Sequence, residues 1–410
     1  MNADARELAA SFDLEKLTPE FYDNPYPTYR ALRENEPVKR LPNGSVFLTR
    51  YDDLVTTYKN TKSFSSDKKR EFAPKYGDSL LYEHHTTSLV FNDPPAHTRV
   101  RRLIMGALSP RAIAGMEGDL IKLVDGLLDA IAAKGACELI EDFAASIPIE
   151  VIGNLLDVPH DERAPLRDWS LAILGALEPV VRPEAAARGN KAVKDFLAYL
   201  ETLVARRRAK PGNPERDVLT RLIQGEGNGE ENGERLTEKE LLHNCIFLLN
   251  AGHETTTNLI GNGLVALDRN PDQKQRLIGN PDMIKTAVEE MLRYESSNQL
   301  GNRMTTEKVE LGGVTLEAGT SVTLCIGAAN RDPAQFPDPE RFDIARTPNR
   351  HLAFATGAHQ CAGMALARLE GAIAISRFLA RFPNYSVSGQ PVRGGRVRFR
   401  GFLSVPCALR

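Results

Sequence analysis

Cys361 is the residue with the clearest chemical setting. It lies in Phe354-Ala355-Thr356-Gly357-Ala358-His359-Gln360-Cys361-Ala362-Gly363, just ahead of a helical stripe through Leu366, Leu369, Ile373, Ile375 and Phe378. A cysteine at a helix N-terminus meets unpaired amide donors and the positive end of the helix dipole, and both favour thiolate over thiol. Gly357 and Gly363 bracket it and permit close approach by a flat partner. A thiolate is either a nucleophile or a metal ligand. A nucleophile needs a base, and His359 is two residues away, but no third group that would orient it is evident. One thiolate makes neither a zinc nor an iron–sulfur site, yet it can be the single protein ligand of haem iron, because a porphyrin brings four nitrogens. An isolated cysteine is otherwise a small buried hydrophobe, a poor description of one framed by two glycines and a histidine.

A second chemical segment interrupts a long helix. Thr237 followed by Glu240 is a capping box. The helical pattern then runs to Arg269, where Asn270-Pro271 ends it, a span of about 50 Å. Leu241, Leu242, Cys245, Ile246, Phe247, Leu248 and Leu249 surround the axis, so this helix should run through a core. Its middle, Ala251-Gly252-His253-Glu254-Thr255-Thr256-Thr257, places a glycine and three β-branched residues where good helix formers belong. The glycine alone costs ~1 kcal/mol relative to alanine, and local violations without structural gain mark function. Phe247, Asn250, Ala251, Glu254 and Thr255 follow one stripe, and a carboxylate beside a hydroxyl could relay protons. The other reading is a tolerated kink with threonine bonded back to the previous turn.

The elements that must position these residues are mostly helices. Leu120 to Ile131 and Val193 to Val204 recur at helical steps, the latter closing on Arg206-Arg207-Arg208, which reads as a solvated last turn that opposes the dipole rather than as a phosphate patch. Gly225–Glu234 reads as a mobile surface loop. Strand signals fall at Ser45–Thr49, at Val309–Leu311 and Val314–Leu316 around Gly312-Gly313, and at Ser321–Ile326. The fold expected is mainly α with small β-sheets (α+β) at the chain's two ends, as one domain over 1–410.

Composition bounds the rest. The 410 residues are 42% apolar and 26% charged, with 52 cations against 54 anions, which excludes wholesale disorder and gives no basic excess for nucleic acid. No apolar run is long enough to span a membrane, and the polar start Met1-Asn2-Ala3-Asp4 has no secretory core. Cys137, Cys245, Cys325, Cys361 and Cys407 are scattered and odd in number, which points to a reducing, cytoplasmic setting without disulfides.

The cysteine loop resembles the haem-thiolate loop of the cytochrome P450 family. Ala251-Gly252-x-Glu254-Thr255 resembles that family's oxygen-activating segment. Glu290-Met291-Leu292-Arg293 matches its Glu-x-x-Arg pair, and Pro339-Glu340-Arg341-Phe342 its arginine segment. Asp93-Pro94-Pro95-Ala96-His97-x-x-x-Arg101 is similar to a segment of soluble bacterial members. The motifs stand in family order, and the similarity covers essentially the whole chain. Ala355 departs from it, since many members carry glycine there.

The resemblance implies a long central helix over a haem b, with the thiolate loop and its helix beneath. Cys361 would be the axial iron ligand and Phe354 would pack beside it, with Ala251, Gly252 and Gly363 against the macrocycle. His97, Arg101, Arg303 and His359 would meet its propionates. Glu254 and Thr255 would deliver protons during oxygen activation. Glu290, Arg293 and Arg341 would form a structural ion triad, while His253, one step off the stripe, would point away from the haem.

The implied activity is insertion of one oxygen atom from O2 into a small or medium, largely apolar molecule, of hydroxylation or O-dealkylation type. Electrons would come from NAD(P)H through a ferredoxin or flavodoxin type partner and its reductase, docked on Arg99, Arg102 and Arg350. The substrate pocket would be lined by residues 82–92, 170–185, 295–300, 395–402 and the central helix. Ser296, Ser297, Asn298 and Gln299 offer polar groups there, and Asn250 calls for a polar substrate group or water, because a buried amide needs a partner. Competing readings are a peroxygenase using hydrogen peroxide, a haem sensor or carrier without turnover, and a thiol hydrolase.

Overall fold

The computed structural model describes residues 3–214, 217–224 and 236–409. Residues 225–234, read above as a surface loop, lie outside the described residues. The helix opened by Thr237 runs unbroken over Glu238–Arg269, with both reciprocal bonds of the capping box formed. Leu241, Cys245, Ile246, Leu249, Ile260, Leu264 and Leu267 have no exposed surface. The helix therefore passes through the largest hydrophobic cluster, packed by Ser146–Leu155, Leu166–Gly175, Pro183–Ala209, Ile284–Tyr294 and Met364–Arg381. The two other helical patterns are observed as Pro110–Lys134 and Pro183–Ala209.

Met364–Arg381, the helix expected after the cysteine, begins at a Gly363 cap. It packs on both the central helix and Pro110–Lys134, burying Leu366, Ile373, Ile375 and Phe378. This fixes Cys361 at the edge of the core, facing the middle of the central helix.

Apart from Cys137–Glu138 the strands lie toward the chain's two ends as expected, but they do not form a separate sheet at each end. A single five-stranded sheet runs Val38–Arg40, Val46–Leu48, Ser321–Cys325, Leu300–Thr305, Phe64–Ser65. Val46–Leu48 pairs in parallel with Ser321–Cys325, and Phe64–Ser65 pairs antiparallel with Leu300–Thr305, so two long-range pairings bring N-terminal and C-terminal strands together. Sequence periodicity cannot report such a pairing. Leu300–Thr305, not foreseen as a strand, pairs Arg303 with Val322. The hairpin Val309–Leu311/Val314–Leu316 is as expected, with Gly312 and Gly313 at φ +56° and +80°, the pair of positive values a tight two-residue turn requires. No helix among the described residues is long and apolar enough to cross a membrane.

Candidate haem-thiolate site

The loop before the cysteine is shaped by two positive φ angles. Gly357 has φ +75°, and a Cβ there would meet the Tyr58 carbonyl oxygen at 2.6 Å, so only glycine fits. Ala355 has φ +53°, the left-handed region in which an alanine Cβ is strained. The backbone thus shows why glycine suits this position. The loop closes with the Cys361 amide donating to the Phe354 carbonyl at 2.9 Å. Phe354 is buried, with the Arg368 guanidinium 4.8 Å from its ring centre. Arg368 in turn bonds Glu289 at 2.6 Å, and Glu289 also meets His351 at 3.1 Å. Sequence reasoning did not find this bracket behind the loop.

Cys361 opens on a cavity of about 340 Å³ between its own helix and the central helix. Phe354, Ala362 and Gly363 form one wall; Phe247, Asn250, Ala251, Gly252 and Thr255 form the other. A Cβ on Gly363 would meet nothing within 4 Å, so the surface beside the sulfur is open to a flat group. Gly252 behaves differently. A Cβ there would meet Ile152 at 2.5 Å, so this glycine makes room for a packed isoleucine as well as for the cavity.

One edge of the cavity is lined by His97, Arg101, Arg303 and His359. The rings of His97 and His359 lie 3.9 Å apart. Both nitrogens of His97, Nε2 of His359 and Nε of Arg303 are buried without a hydrogen-bond partner. Burial pushes His359 down to about 3, with Arg303, His97 and Arg101 adding to the effect; burial, then Arg101, also lowers His97. Buried cations beside unsatisfied imidazoles need an anionic partner that carries several acceptors. Two propionates supply that. Among the described residues no group of three or more histidine, cysteine or carboxylate side chains could hold a metal ion, so a metal on Cys361 must arrive with its own donors. The residues therefore fit an iron porphyrin.

The thiol itself departs from expectation. Burial pushes Cys361 up, and the Gly363 amide, Arg101 and Arg368 only partly offset this. The helix end does not by itself make a thiolate, whereas coordination to a metal does. The His359 ring lies tilted against that of His97, and among the described residues no carboxylate is seen to bond it, so nothing here orients it as the base of a thiol hydrolase.

The stripe on the central helix is observed for Phe247, Asn250, Ala251 and Thr255, but Glu254 is not on the cavity wall. It is buried and takes Arg396 Nη1 on both oxygens, at 2.6 and 2.7 Å. Burial nonetheless dominates and pushes its carboxyl up to about 7, against the pull of Arg396. The Thr255 hydroxyl donates to the Ala251 carbonyl at 2.8 Å, the back-bonding considered above, and still borders the cavity. His253 is buried off the cavity wall, both ring nitrogens unpartnered, and burial lowers it to about 3. It does face away, as its position on the helix implied.

The ion triad differs in one member. Arg293 bonds both oxygens of fully buried Glu290, at 2.7 and 2.8 Å. The third guanidinium is that of Arg346, whose Nε lies 3.2 Å from Glu290. Arg341 contributes only its carbonyl, which accepts from Arg293 at 3.1 Å, while its side chain is exposed. The chain turns between 341 and 346 and carries the Arg341 side chain outward, which the motif does not reveal.

Other cavity residues escaped sequence reasoning. Glu370 lines it with one oxygen unpartnered, and burial pushes it up to about 8. Its place between Leu366 and Ile373, on the apolar stripe, was the available signal. Tyr58 also borders the cavity, whereas His84, His85 and Arg398 border it within the segments 82–92 and 395–402 that were expected to line it.

Comparison with known proteins agrees with this geometry. The Cytochrome P450 family model matches residues 171–393. The chain is 36% identical over 372 residues to the biotin biosynthesis cytochrome P450 of Bacillus subtilis, covering 90% of this chain and 92% of that one. It is 37% identical over 407 residues to the cytochrome P450 monooxygenase PikC of Streptomyces venezuelae, covering 97% and 94%. The crystal structure of P450BioI in complex with hexadec-9Z-enoic acid ligated acyl carrier protein superposes with a TM-score of 0.89 at 35% identity, over 96% of this chain and 100% of that one. Likeness of this extent in both sequence and fold shows that the chain belongs to the cytochrome P450 family of monooxygenases.

Proposed function

We propose that this monooxygenase holds haem b through Cys361 and inserts one oxygen atom from O2 into a small or medium, largely apolar organic substrate, by hydroxylation or O-dealkylation. The observation that carries the reading is the placement of the Cys361 sulfur, the four-residue propionate cradle and Thr255 around one cavity. When bound, the haem supplies the iron centre at which dioxygen is reduced and split. Cys361 ligates it and donates electron density. His97, Arg101, Arg303 and His359 pair with the propionates and fix its orientation. Leu174, Leu177, Leu248 and Ile152 keep the cavity apolar.

Thr255 keeps a lone pair available to accept a proton while its own hydrogen is held by Ala251. Glu254, half protonated near neutral pH, stores the proton and must swing away from Arg396 to pass it on. Electrons come from NAD(P)H through a ferredoxin or flavodoxin type partner. Arg99 pairs with Glu240 at the start of the central helix, Arg102 and Arg350 are exposed, and the three arginines border the proposed docking face. The whole of 1–410 acts as one catalytic unit of the cytoplasm.

A compound panel tests this. Substrates are expected to shift the ferric spin state and to be converted only with NAD(P)H, reductase and O2. Conversion by hydrogen peroxide alone at the same rate would instead make the protein a peroxygenase, and a spin shift without conversion by either route a sensor.

A further inference from the structure

We propose that this cavity anchors its substrate through a hydroxyl group held between Asn250 and His85. The inference rests on the monooxygenase reading and names the substrate class of the same site. His84 and His85, on the helix Leu80–Thr87, are 2% and 1% exposed and both border the cavity, as does Asn250 at 4%. His84 Nε2 lies 3.5 Å from Asn250 Nδ2, and the His84 and His85 rings are 5.2 Å apart, so the three form one polar strip on the cavity wall.

Two atoms of the strip have no partner, Asn250 Oδ1 and His85 Nε2. A buried polar atom without a partner is costly, and such atoms in a cavity wall call for a ligand. His85 cannot turn away to find one, because the rings of Phe72, Tyr76 and Phe91 box it in at 5.6, 5.4 and 5.9 Å. The nearby His243 is not on the cavity wall, and its Nε2 lies 3.0 Å from Glu83. A hydroxyl can donate to the amide oxygen and accept from the imidazole N–H at once. A hydrocarbon satisfies neither atom.

The histidines do not call for an anion. Burial lowers both, His85 to about 3, so neither carries charge near neutral pH. Arg398, the cation at this end of the cavity, is engaged by the Leu177 and Leu300 carbonyls, each at 3.1 Å.

The test uses the haem-loaded protein and matched ligands on linear, monocyclic and bicyclic skeletons: dodecane, dodecanol and dodecanoate; cyclooctane, cyclooctanol and cyclooctanecarboxylate; decalin, decalol and decalincarboxylate. Affinity is read from the ferric spin-state shift. In at least one series the alcohol is expected to bind about tenfold or more tightly than its parent hydrocarbon. Asn250→Leu and His85→Phe should reduce that preference to less than about twofold without weakening the hydrocarbon. The proposal is overturned if no alcohol binds better than its parent, if a carboxylate binds best in every series, or if the preference survives in both variants, which would place the anchor at Ser297 or Asn298. The red-shifted carbon monoxide band of each protein is recorded alongside. Its absence from the parent defeats the monooxygenase reading; its presence without alcohol preference defeats only the anchor.

Discussion

Glu254 and Arg396 form a buried ion pair one residue away from Thr255, with a single guanidinium nitrogen shared between both carboxylate oxygens. The pair holds Glu254, the proposed proton donor, off the cavity wall. Arg396 is also the largest influence keeping that acid from rising beyond about 7.

Removing the arginine should therefore change a pH profile. Glu254 is protonated below about pH 7, so turnover that draws on its proton falls as pH rises through that value. In Arg396→Gln the carboxyl rises further and the fall should move to higher pH. Glu254→Gln should lower turnover by roughly a hundredfold and remove this limb of the profile altogether.

The same shift has a consequence for stability. A carboxyl raised from 4.5 to about 7 binds a proton in the folded state over a range in which the unfolded chain has lost it. Its stabilisation is full below about pH 4.5 and is lost as pH rises through 7. Unfolding by urea at several pH values should show the parent losing up to ~3 kcal/mol relative to Glu254→Gln across that window.

Ala355→Gly relieves the positive φ of the cysteine loop. Thermal unfolding of the haem-loaded variant should show a gain of up to ~1 kcal/mol. Ala355→Val should show a loss.

The buried triad separates two arginines. Arg346→Ala leaves the fully buried Glu290 with one guanidinium fewer and should cost ~2–3 kcal/mol. Arg341→Ala removes only an exposed side chain, because its contribution is a carbonyl, and should change stability by less than ~0.5 kcal/mol. Equal losses in urea unfolding would restore Arg341 as the third member.

These cases show what a sequence can carry. The capping box at Thr237, the hairpin around Gly312-Gly313 and the helix after Cys361 were legible because each is written in a few consecutive residues. So was the stripe through Phe247, Asn250, Ala251 and Thr255, since helical spacing fixes direction. Glu254 sits at that stripe's margin. Its partner lies 142 residues away, so only chain closure decides whether it faces the cavity or Arg396. The joining of strands from both ends of the chain into one sheet and the choice of Arg346 over Arg341 are tertiary facts of the same kind.

The propionate cradle predicts graded haem retention. Arg303→Ala and His97→Ala should each speed haem loss to a scavenger protein by about tenfold or more, since each removes a charged or hydrogen-bonding partner from a buried anion. Parent protein loaded with the dimethyl ester of haem b should lose it as fast as the variants lose haem b itself.

The sulfur of Cys361 is the most direct test. Carbon monoxide added to the reduced parent protein should produce the red-shifted absorption band of sulfur-bound haem, and Cys361→Ala loaded with haem should not. A parent without that band, or an alanine variant that keeps it, contradicts the account.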